Sequence, residues 1–347
     1  MNNKKIILPV CEPILSTYNY QMTQSVVAMQ NPELYYWFLN QAVDLQCRNI
    51  FLRENKVITV VFRLFNNISV MPHIERLTVN TRFAGKNVHS LIKEMLNDGY
   101  YAEFSHVDDY YMQGKTFYKD RHFLHDGLIF GYDAETSNGK EAIYKVMAYD
   151  KNWRPGMFDM PCKCLDEAIA SAAEQGIYSN ITAMKAKPIK SKLHVGGIYT
   201  NIKNYLKSNL EIYPPNEGDN VYGTVVHDYI GMYMDKLRTG FIPYEERDRR
   251  TLRVIWEHKK LMTARIKAVE EFFNNANLTI WGTDLSKRYQ KAVEEESDKL
   301  RLLYMKYNIK RDDELLPVIA EKLAKLKCEE EALLKELILK LENSRGW

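Results

Sequence analysis

The segment from His122 to Asp150 constrains the fold of this chain more than any other stretch, because its pattern is that of a β-hairpin. It contains two runs of β-favouring residues, His125–Tyr132 and Ala142–Asp150, with a polar segment between them. Asn138-Gly139 lies within that polar segment and is a strong signal for a tight turn. The sequence therefore predicts an antiparallel pair of strands in the middle of the chain.

The register of this hairpin decides which side chains share a face. If Asp133 is paired with Ala142, then His125 lies opposite Asp150, and directly opposed residues of an antiparallel pair point to the same side. A carboxylate beside a histidine orients the ring and stabilises its charged form. The pair would supply the histidine and the aspartate of a Cys-His-Asp arrangement. The alternative is a polar pair at the open end of a hairpin, where strands often finish in charged residues.

Length and charge exclude some classes of protein. The chain has 347 residues, enough for one large domain or two smaller ones. Its formal net charge of +3 is too small to predict binding to nucleic acid or to a membrane surface. We expect neither a signal peptide nor a membrane span, because no apolar run has the required length. The five cysteines are sparse and odd in number, as is typical of reduced thiols, so we expect a cytoplasmic protein.

The cysteine and histidine spacings do not predict a metal site. Cys162 and Cys164 form a C-x-C pair, which lacks the second pair of ligands that a structural zinc site needs. His122 and His125 form H-x-x-H, which on a strand directs the two rings to opposite faces. We therefore expect neither a metal nor an organic cofactor.

The character of the chain changes near residue 240. Residues 1–240 mix strand and helix signals, whereas residues 241–347 have the apolar spacing of a helical bundle or coiled-coil extension. Lys259 falls on the apolar stripe, and His258 is expected to face solvent or a neighbouring helix. Thr283 and Asp312 are placed as N-caps, so we predict three packed helices, the last being the longest. The apolar stripe must pack against the first domain or against a second subunit. We favour the second subunit and therefore expect a homodimer.

Between Ser90 and Ala168 the sequence is similar to a known family. The segments LIKEMLNDGYYAEFSHVDDYYM, HFLHDGLIFGYD, YKVMAYD and DEAI resemble the family of butirosin biosynthesis protein H, whose members have an N-terminal papain-like domain and are encoded beside carrier-protein assembly lines. The segments YYWFLNQAVDLQC and ERDRRTLRVIWEHKKLMTARI also look like long-form members of this family. The resemblance therefore covers most of the chain.

This resemblance implies an α+β fold of the papain-like cysteine peptidase type for residues 1–240, followed by the helical extension. In that fold a histidine begins one strand and an aspartate closes the next, and these roles fall on His125 and Asp150. The family's best-characterised chemistry is amide formation, in which an acyl group moves from a carrier-protein thioester to an amine. The implied partners are an acyl or peptidyl carrier protein and an amine or diamine substrate.

The family carries its nucleophilic cysteine in the N-terminal segment, at the start of the first core helix. Cys11 is the cysteine of that segment and becomes the candidate nucleophile, although it precedes the most natural helix start. Gln21 and Gln24 are candidate donors of a side-chain N–H to an oxyanion, and the alternative is that they only cap a helix. Ser25 is an alternative nucleophile.

These observations together predict an acyltransferase of peptide or antibiotic biosynthesis. The Cys11 thiolate would attack a carrier-bound thioester, and an amine would then take the acyl group from the enzyme. His125 would move the protons while Asp150 holds its ring. Two alternatives stay open. One is a cysteine peptidase or thioesterase with the same triad, and the other is a binding protein that kept the fold without a nucleophile.

Overall fold

The computed structural model describes residues 4–63, 71–134, 141–152, 154–208, 220–275 and 284–344. The strands are β1 (Lys5–Ile7), β2 (Asp44–Arg48), β3 (Val60–Arg63), β4 (Ile74–Asn80), β5 (Tyr101–Asp108), β6 (Leu124–Asp133), β7 (Ile143–Tyr149), β8 (Pro155–Pro161), β9 (Asn180–Ala186) and β10 (Asn220–Tyr222). The helices are α1 (Asn19–Ala28), α2 (Leu34–Gln41), α3 (Thr81–Ala84), α4 (Val88–Asn97), α5 (Cys162–Glu174), α6 (Val195–Lys207), α7 (Val226–Arg238), α8 (Thr251–Asn275), α9 (Asp284–Tyr289), α10 (Glu295–Lys310) and α11 (Leu315–Asn343). Helices and antiparallel sheets are both present, so the mixed character that we predicted is confirmed.

The chain divides into two compact units, and the division differs from the predicted boundary at residue 240. Unit 1 consists of Met1–Leu34 and Ser69–Lys190, and unit 2 consists of Tyr35–Ile68 and Ser191–Trp347. The physical reason is strand pairing and helix packing. β2, β3 and β10 form a separate sheet, and α6 and α7 pack against α11, so these elements join the C-terminal helices.

Unit 1 is built on a seven-stranded antiparallel sheet in the order β4-β9-β5-β6-β7-β8, and β1 pairs with the second half of β6. Helices α1, α4 and α5 pack on this sheet. Its core contains the fully buried side chains of Ile92, Phe104, Ile129, Val146 and Leu165. Burial of one such side chain stabilises a fold by about 1.5–3 kcal/mol, so this apolar layer holds the sheet and helices together.

Strands β6 and β7 form the antiparallel pair that the sequence predicts. The turn signal at Asn138-Gly139 lies outside the described residues. At this end of the strand pair, Asp133 pairs with Ile143 and not with Ala142. The register there differs from the prediction by one residue.

A β-bulge then changes the register of this hairpin. It lies between Ile129 and Gly131, and beyond it Leu128 pairs with Met147, which is the predicted alignment. A bulge places one extra residue on one strand and increases the local twist. β7 ends at Tyr149, and Asp150, the residue after it, forms an isolated antiparallel β-bridge with Lys115.

The C-terminal part of unit 2 contains the three predicted helical segments. They are α8 with 25 residues, α9 joined to α10 through the π-helical turn Gln290–Glu294, and α11, the longest, with 29 residues. Thr283 lies outside the described residues. The N-cap of α11 is Glu314 and not Asp312, and no side chain caps this helix. In the described ranges no helix has the length and apolar character needed to cross a membrane.

Unit 2 contains a fully buried cluster of charged and hydroxyl groups. Glu330 Oε2 accepts hydrogen bonds from Lys259 Nζ at 2.7 Å and from the Tyr205 hydroxyl at 3.0 Å. Glu330 Oε1 accepts one from the Tyr289 hydroxyl at 2.6 Å. Burial raises the pKa of Glu330, but the ammonium of Lys259 opposes this and lowers the pKa to about 2. The carboxylate is therefore ionised and paired inside the helical layer.

Two histidines lie beside this cluster. His258, which we expected to face solvent or a neighbouring helix, is fully buried, and its Nε2 bonds to the Val43 carbonyl at 2.7 Å. The Nδ1 of His227 bonds to the Thr224 carbonyl at 2.8 Å. Burial, with a smaller effect of the Lys259 ammonium, lowers the pKa of His227 to about 4 and that of His258 well below its usual value. Both rings are uncharged at neutral pH.

The titration of His227 predicts a loss of stability in mild acid. The unfolded chain protonates this group near pH 6.5 and the folded chain near pH 4, so between these values the unfolded state binds more protons. His227 alone should lower the free energy of unfolding by about 1.4 kcal/mol for each pH unit on acidification across this range, and His258, whose pKa is also lowered, should add to that slope. Urea unfolding at several pH values measures the slope. His227→Gln, which cannot titrate, should show a smaller slope, and an equal slope would contradict the prediction.

Candidate functional site

The start of α1 is the position where the resemblance expects a nucleophile. Tyr18 precedes the helix with extended backbone and no capping hydrogen bond from its side chain, and Asn19 is the first helical residue. The N–H groups in the first turn of a helix lack intrahelical partners and form the positive end of its dipole. The structure therefore places an amide side chain, and not a thiol, at this positive end.

Two buried amides at this end of α1 lack hydrogen-bond partners. Asn19 and Gln21 are only 7% and 4% exposed, and none of their side-chain N and O atoms has a partner among the described residues. A buried amide costs free energy unless a ligand, water or protein group satisfies it. Gln21 thus retains the role of a candidate donor, and Asn19 joins it as a residue that the sequence did not single out.

His125, at the start of β6, contacts a buried lysine. Lys115 is 2% exposed, and its Nζ lies 3.0 Å from His125 Nδ1 and 2.8 Å from the Asp126 carbonyl. Lys115 Nζ also forms an ion pair with Asp109 Oδ1 at 2.9 Å, and Asp109 Oδ2 lies 3.5 Å from His125 Nδ1. Burial lowers the pKa of Lys115, whereas the Asp109 carboxylate acts in the opposite direction and favours the ammonium.

With Lys115 in its charged form, this contact favours one tautomer of His125. An ammonium has donors only, so the Nδ1 that faces Lys115 must accept the hydrogen bond. The neutral ring then carries its proton on Nε2. Such a ring offers an N–H to a ligand, but it has no unoccupied nitrogen with which to take a proton from a thiol.

Tyr149 links His125 to the segment before α1. The two rings stack with centroids 6.4 Å apart, and the Tyr149 hydroxyl donates to the Ser16 carbonyl. Ser16 lies just before the helix, and α1 packs against both β6 and β7. His125 is therefore connected through Tyr149 to the segment that leads into α1.

Asp150 does not orient His125, in contrast to our prediction. Its Oδ1 accepts hydrogen bonds from the backbone N–H of Asn152 at 2.7 Å and of Arg154 at 3.1 Å. Within the described ranges, no hydrogen bond or ion pair joins its carboxylate to His125. The physical reason is local, because β7 ends at Tyr149 and the carboxylate then satisfies the N–H groups of its own turn.

Cys11 lies at the other end of α1 from the expected nucleophile. Its Sγ is 4.0 Å from the carbonyl of Val26, and α1 runs from Asn19 to Ala28. The first helical residue is roughly 10 Å from Val26 along the helix axis, at about 1.5 Å per residue. Carbonyls at a helix C-terminus disfavour an anion, and burial raises the pKa of the Cys11 thiol. Both effects oppose a reactive thiolate.

The two remaining candidates in α1, Gln24 and Ser25, form hydrogen bonds to the backbone. Gln24 Oε1 accepts a hydrogen bond from the backbone N–H of Met71 at 2.8 Å. Ser25 is fully buried, and its hydroxyl donates to the carbonyls of Met22 at 3.0 Å and Leu15 at 3.2 Å. Gln24 therefore fixes a neighbouring segment, and Ser25 has no exposed oxygen for attack on a substrate.

A histidine–carboxylate pair that the sequence did not reveal lies close to this site. His122 Nδ1 donates to the buried Asp108 Oδ2 at 2.6 Å, and Ser171 Oγ donates to the same oxygen at 2.6 Å. Burial raises the pKa of Asp108, but the hydrogen bonds from Ser171 and His122 outweigh this and lower it. The neighbouring carboxylates Asp108 and Asp109 thus serve different histidines. The run HVDDYY shows both acids, but only the fold shows their partners.

The structure does not bring Cys11, His125 and Asp150 into contact, as far as the described residues show. Tyr149 connects His125 to Ser16, which lies three residues before the first residue of α1, and Asn19 and Gln21 lie in the first turn of that helix. No group of three or more His, Cys, Asp or Glu side chains suited to a metal ion occurs among the described residues. Comparison with models of known protein families gave no match, and comparison with curated proteins gave none either.

Proposed function

We propose that unit 1 is a binding relative of the papain-like acyltransferases, which recognises an acyl group presented by a carrier protein without transferring it. The observation that carries this proposal is the hydrogen bond between Lys115 Nζ and His125 Nδ1, at 3.0 Å. This hydrogen bond occupies Nδ1 of His125 and leaves the proton of the ring on Nε2. The amide of Asn19 at the start of α1, where a nucleophile would be needed, supports the same conclusion.

The groups around the start of α1 favour an oxygen acceptor as the bound group. His125 offers Nε2–H, the amides of Asn19 and Gln21 offer N–H donors, and the helix end contributes a positive dipole. Donors of this kind suit an oxygen acceptor such as the carbonyl of a thioester or a carboxylate. The ligand class is therefore an acyl group, which agrees with the carrier-linked chemistry of the family that the sequence resembles.

The papain-like fold is part of this proposal. What supports it is an N-terminal helix packed on an antiparallel sheet, with a histidine at the beginning of one strand of that sheet. Acyl transfer through Cys11 and the peptidase or thioesterase activity are the alternatives to this proposal. The carrier protein and amine partners, the homodimer and the cytoplasmic location stay predictions.

A thioester probe tests whether the chain binds or transfers an acyl group. We expect no acetyl adduct on the wild-type chain after incubation with the acetyl thioester of N-acetylcysteamine, because burial raises the pKa of the Cys11 thiol and its sulfur contacts a helix carbonyl. Intact-protein mass spectrometry gives this result directly. Calorimetry with the same probe should show binding that weakens several-fold in Gln21→Leu, as expected for one lost hydrogen bond of about 0.5–1.5 kcal/mol.

Cys11→Ala is the control for this experiment. It should bind the probe as the wild type does and should also form no adduct. An acetyl adduct on the wild-type chain that disappears in Cys11→Ala would contradict the binding proposal and support the predicted acyltransferase. Release of acetate from such an adduct by water would instead support the thioesterase alternative.

A further inference from the structure

The segment between β5 and β6 surrounds one ammonium group with three tyrosine rings. Lys119 Nζ lies 5.0 Å from the ring centroids of both Tyr110 and Tyr111. It lies 5.7 Å from the ring centroid of Tyr118. Aromatic faces attract a cation within about 6 Å of their centroids. Tyr110, Tyr111 and Tyr118 thus form a tyrosine cage around a single positive charge.

The rings are the partners of this ammonium. Among the described residues, Lys119 Nζ has no ion pair and no hydrogen bond. The backbone of Lys119 is left-handed, with φ of 57°, and its N–H donates to the Tyr110 carbonyl at 3.0 Å. The side chain is exposed, so Lys119 can leave the cage for water without stranding a charge in the protein interior.

His122 supplies a hydrogen-bond acceptor at the side of the cage. Its ring stacks on Tyr110 with centroids 4.6 Å apart. Its Nδ1 donates to Asp108 at 2.6 Å, so the neutral ring has its lone pair on Nε2. The His122 side chain is 56% exposed, which leaves Nε2 accessible to a ligand, and Asp108 is fully buried behind it.

We propose that the tyrosine cage and His122 form a binding site for a linear alkylammonium ligand, and that Lys119 is its intramolecular occupant. Three ring faces bind the charge, and Nε2 of His122 accepts one ammonium N–H. The occupant defines the ligand class, because the lysine side chain is itself a butylammonium group. The site uses other residues than the acyl site near α1, and it does not depend on the proposed function.

Calorimetric titration of the full chain with n-butylamine and with 1,4-diaminobutane, near neutral pH, tests this site. We expect binding with a Kd on the order of millimolar for the wild type. Lys119→Asn removes the occupant and keeps a residue that tolerates left-handed backbone. It should bind both amines roughly five-fold more tightly, because the competing cation–π contact is lost. Adding Tyr110→Leu or the more exposed Tyr118→Leu to this variant should abolish the gain.

Two controls separate this site from general surface binding. Lys236 lies over the single ring of Phe241 at 4.2 Å, so Lys236→Asn should leave the affinity unchanged. 1-Butanol has the same chain length without a charge and should not bind. The proposal is overturned if Lys119→Asn binds the amines no better than the wild type, if Lys236→Asn gains equally, or if 1-butanol binds as well. Circular dichroism confirms that each variant is folded.

Discussion

Asn19→Cys is expected to give the chain a thiol that reacts faster than Cys11. Position 19 is the first residue of α1, where the helix dipole lowers the pKa of a thiol and stabilises a thiolate. Asn19 is only 7% exposed, and burial raises the pKa of a thiol as it does for Cys11, so the helix dipole must outweigh burial if the introduced thiol is to react faster. We expect alkylation by iodoacetamide to be at least roughly ten-fold faster at the introduced thiol than at Cys11.

Peptide mapping after timed alkylation measures both rates in one sample. Met29→Cys is the matched control, because it places a thiol at the C-terminal cap of the same helix, where the dipole disfavours a thiolate. An equal rate for the Asn19→Cys and Met29→Cys thiols would show that the start of α1 does not activate a nucleophile. The papain-like assignment of this site would then lose its main support. An acetyl adduct on Asn19→Cys with the thioester probe would strengthen it.

The local patterns of the sequence were sufficient for the strands and helices of the site. The β-favouring residues of LIFGY and YKVMAYD predict β6 and β7, and the apolar spacing after residue 244 predicts the three helical segments that correspond to α8, α9 with α10, and α11. These patterns are properties of a few neighbouring residues, and each element buries the face that its own pattern makes apolar. The histidine at the start of β6 could therefore be placed correctly.

The register of the site residues could not be obtained in this way. The bulge between Ile129 and Gly131 is set by how β6 pairs with its neighbours on both edges. Both His125 and the N–H groups of its own turn are potential hydrogen-bond partners for the carboxylate of Asp150. The N–H groups bind it because they are adjacent in the chain. Short polar side chains commonly choose backbone partners in this way.

The buried charges were the least predictable part of the structure. Lys115 has no apolar pattern around it that indicates full burial, and its partners are separated from it in sequence. The same holds for Lys259, which the apolar stripe placed correctly in the core, but whose partner Glu330 lies in another helix. A buried charge pair between two helices can be predicted only if it is known which helices pack together. The periodicity of a single helix does not contain this information.

Glu330→Ala is expected to destabilise unit 2 by roughly 3–5 kcal/mol, which is typical for removal of one partner of a buried ion pair. The Lys259 ammonium would remain fully buried without its carboxylate, and the hydroxyls of Tyr205 and Tyr289 would lose their acceptor. Urea unfolding followed by circular dichroism gives the change in the free energy of unfolding.

Glu336→Ala is the matched control for this loss, because Glu336 is on the same helix and forms a bidentate ion pair with the partly exposed Arg288 at 2.9 Å. A surface pair contributes only about 0–1 kcal/mol, since water solvates both charges when the pair is broken. A loss in Glu330→Ala no larger than that in Glu336→Ala would contradict the buried pairing. Lys259→Met combined with Glu330→Leu should recover part of the stability, because it removes the unpaired charge together with its partner and fills the space with apolar groups.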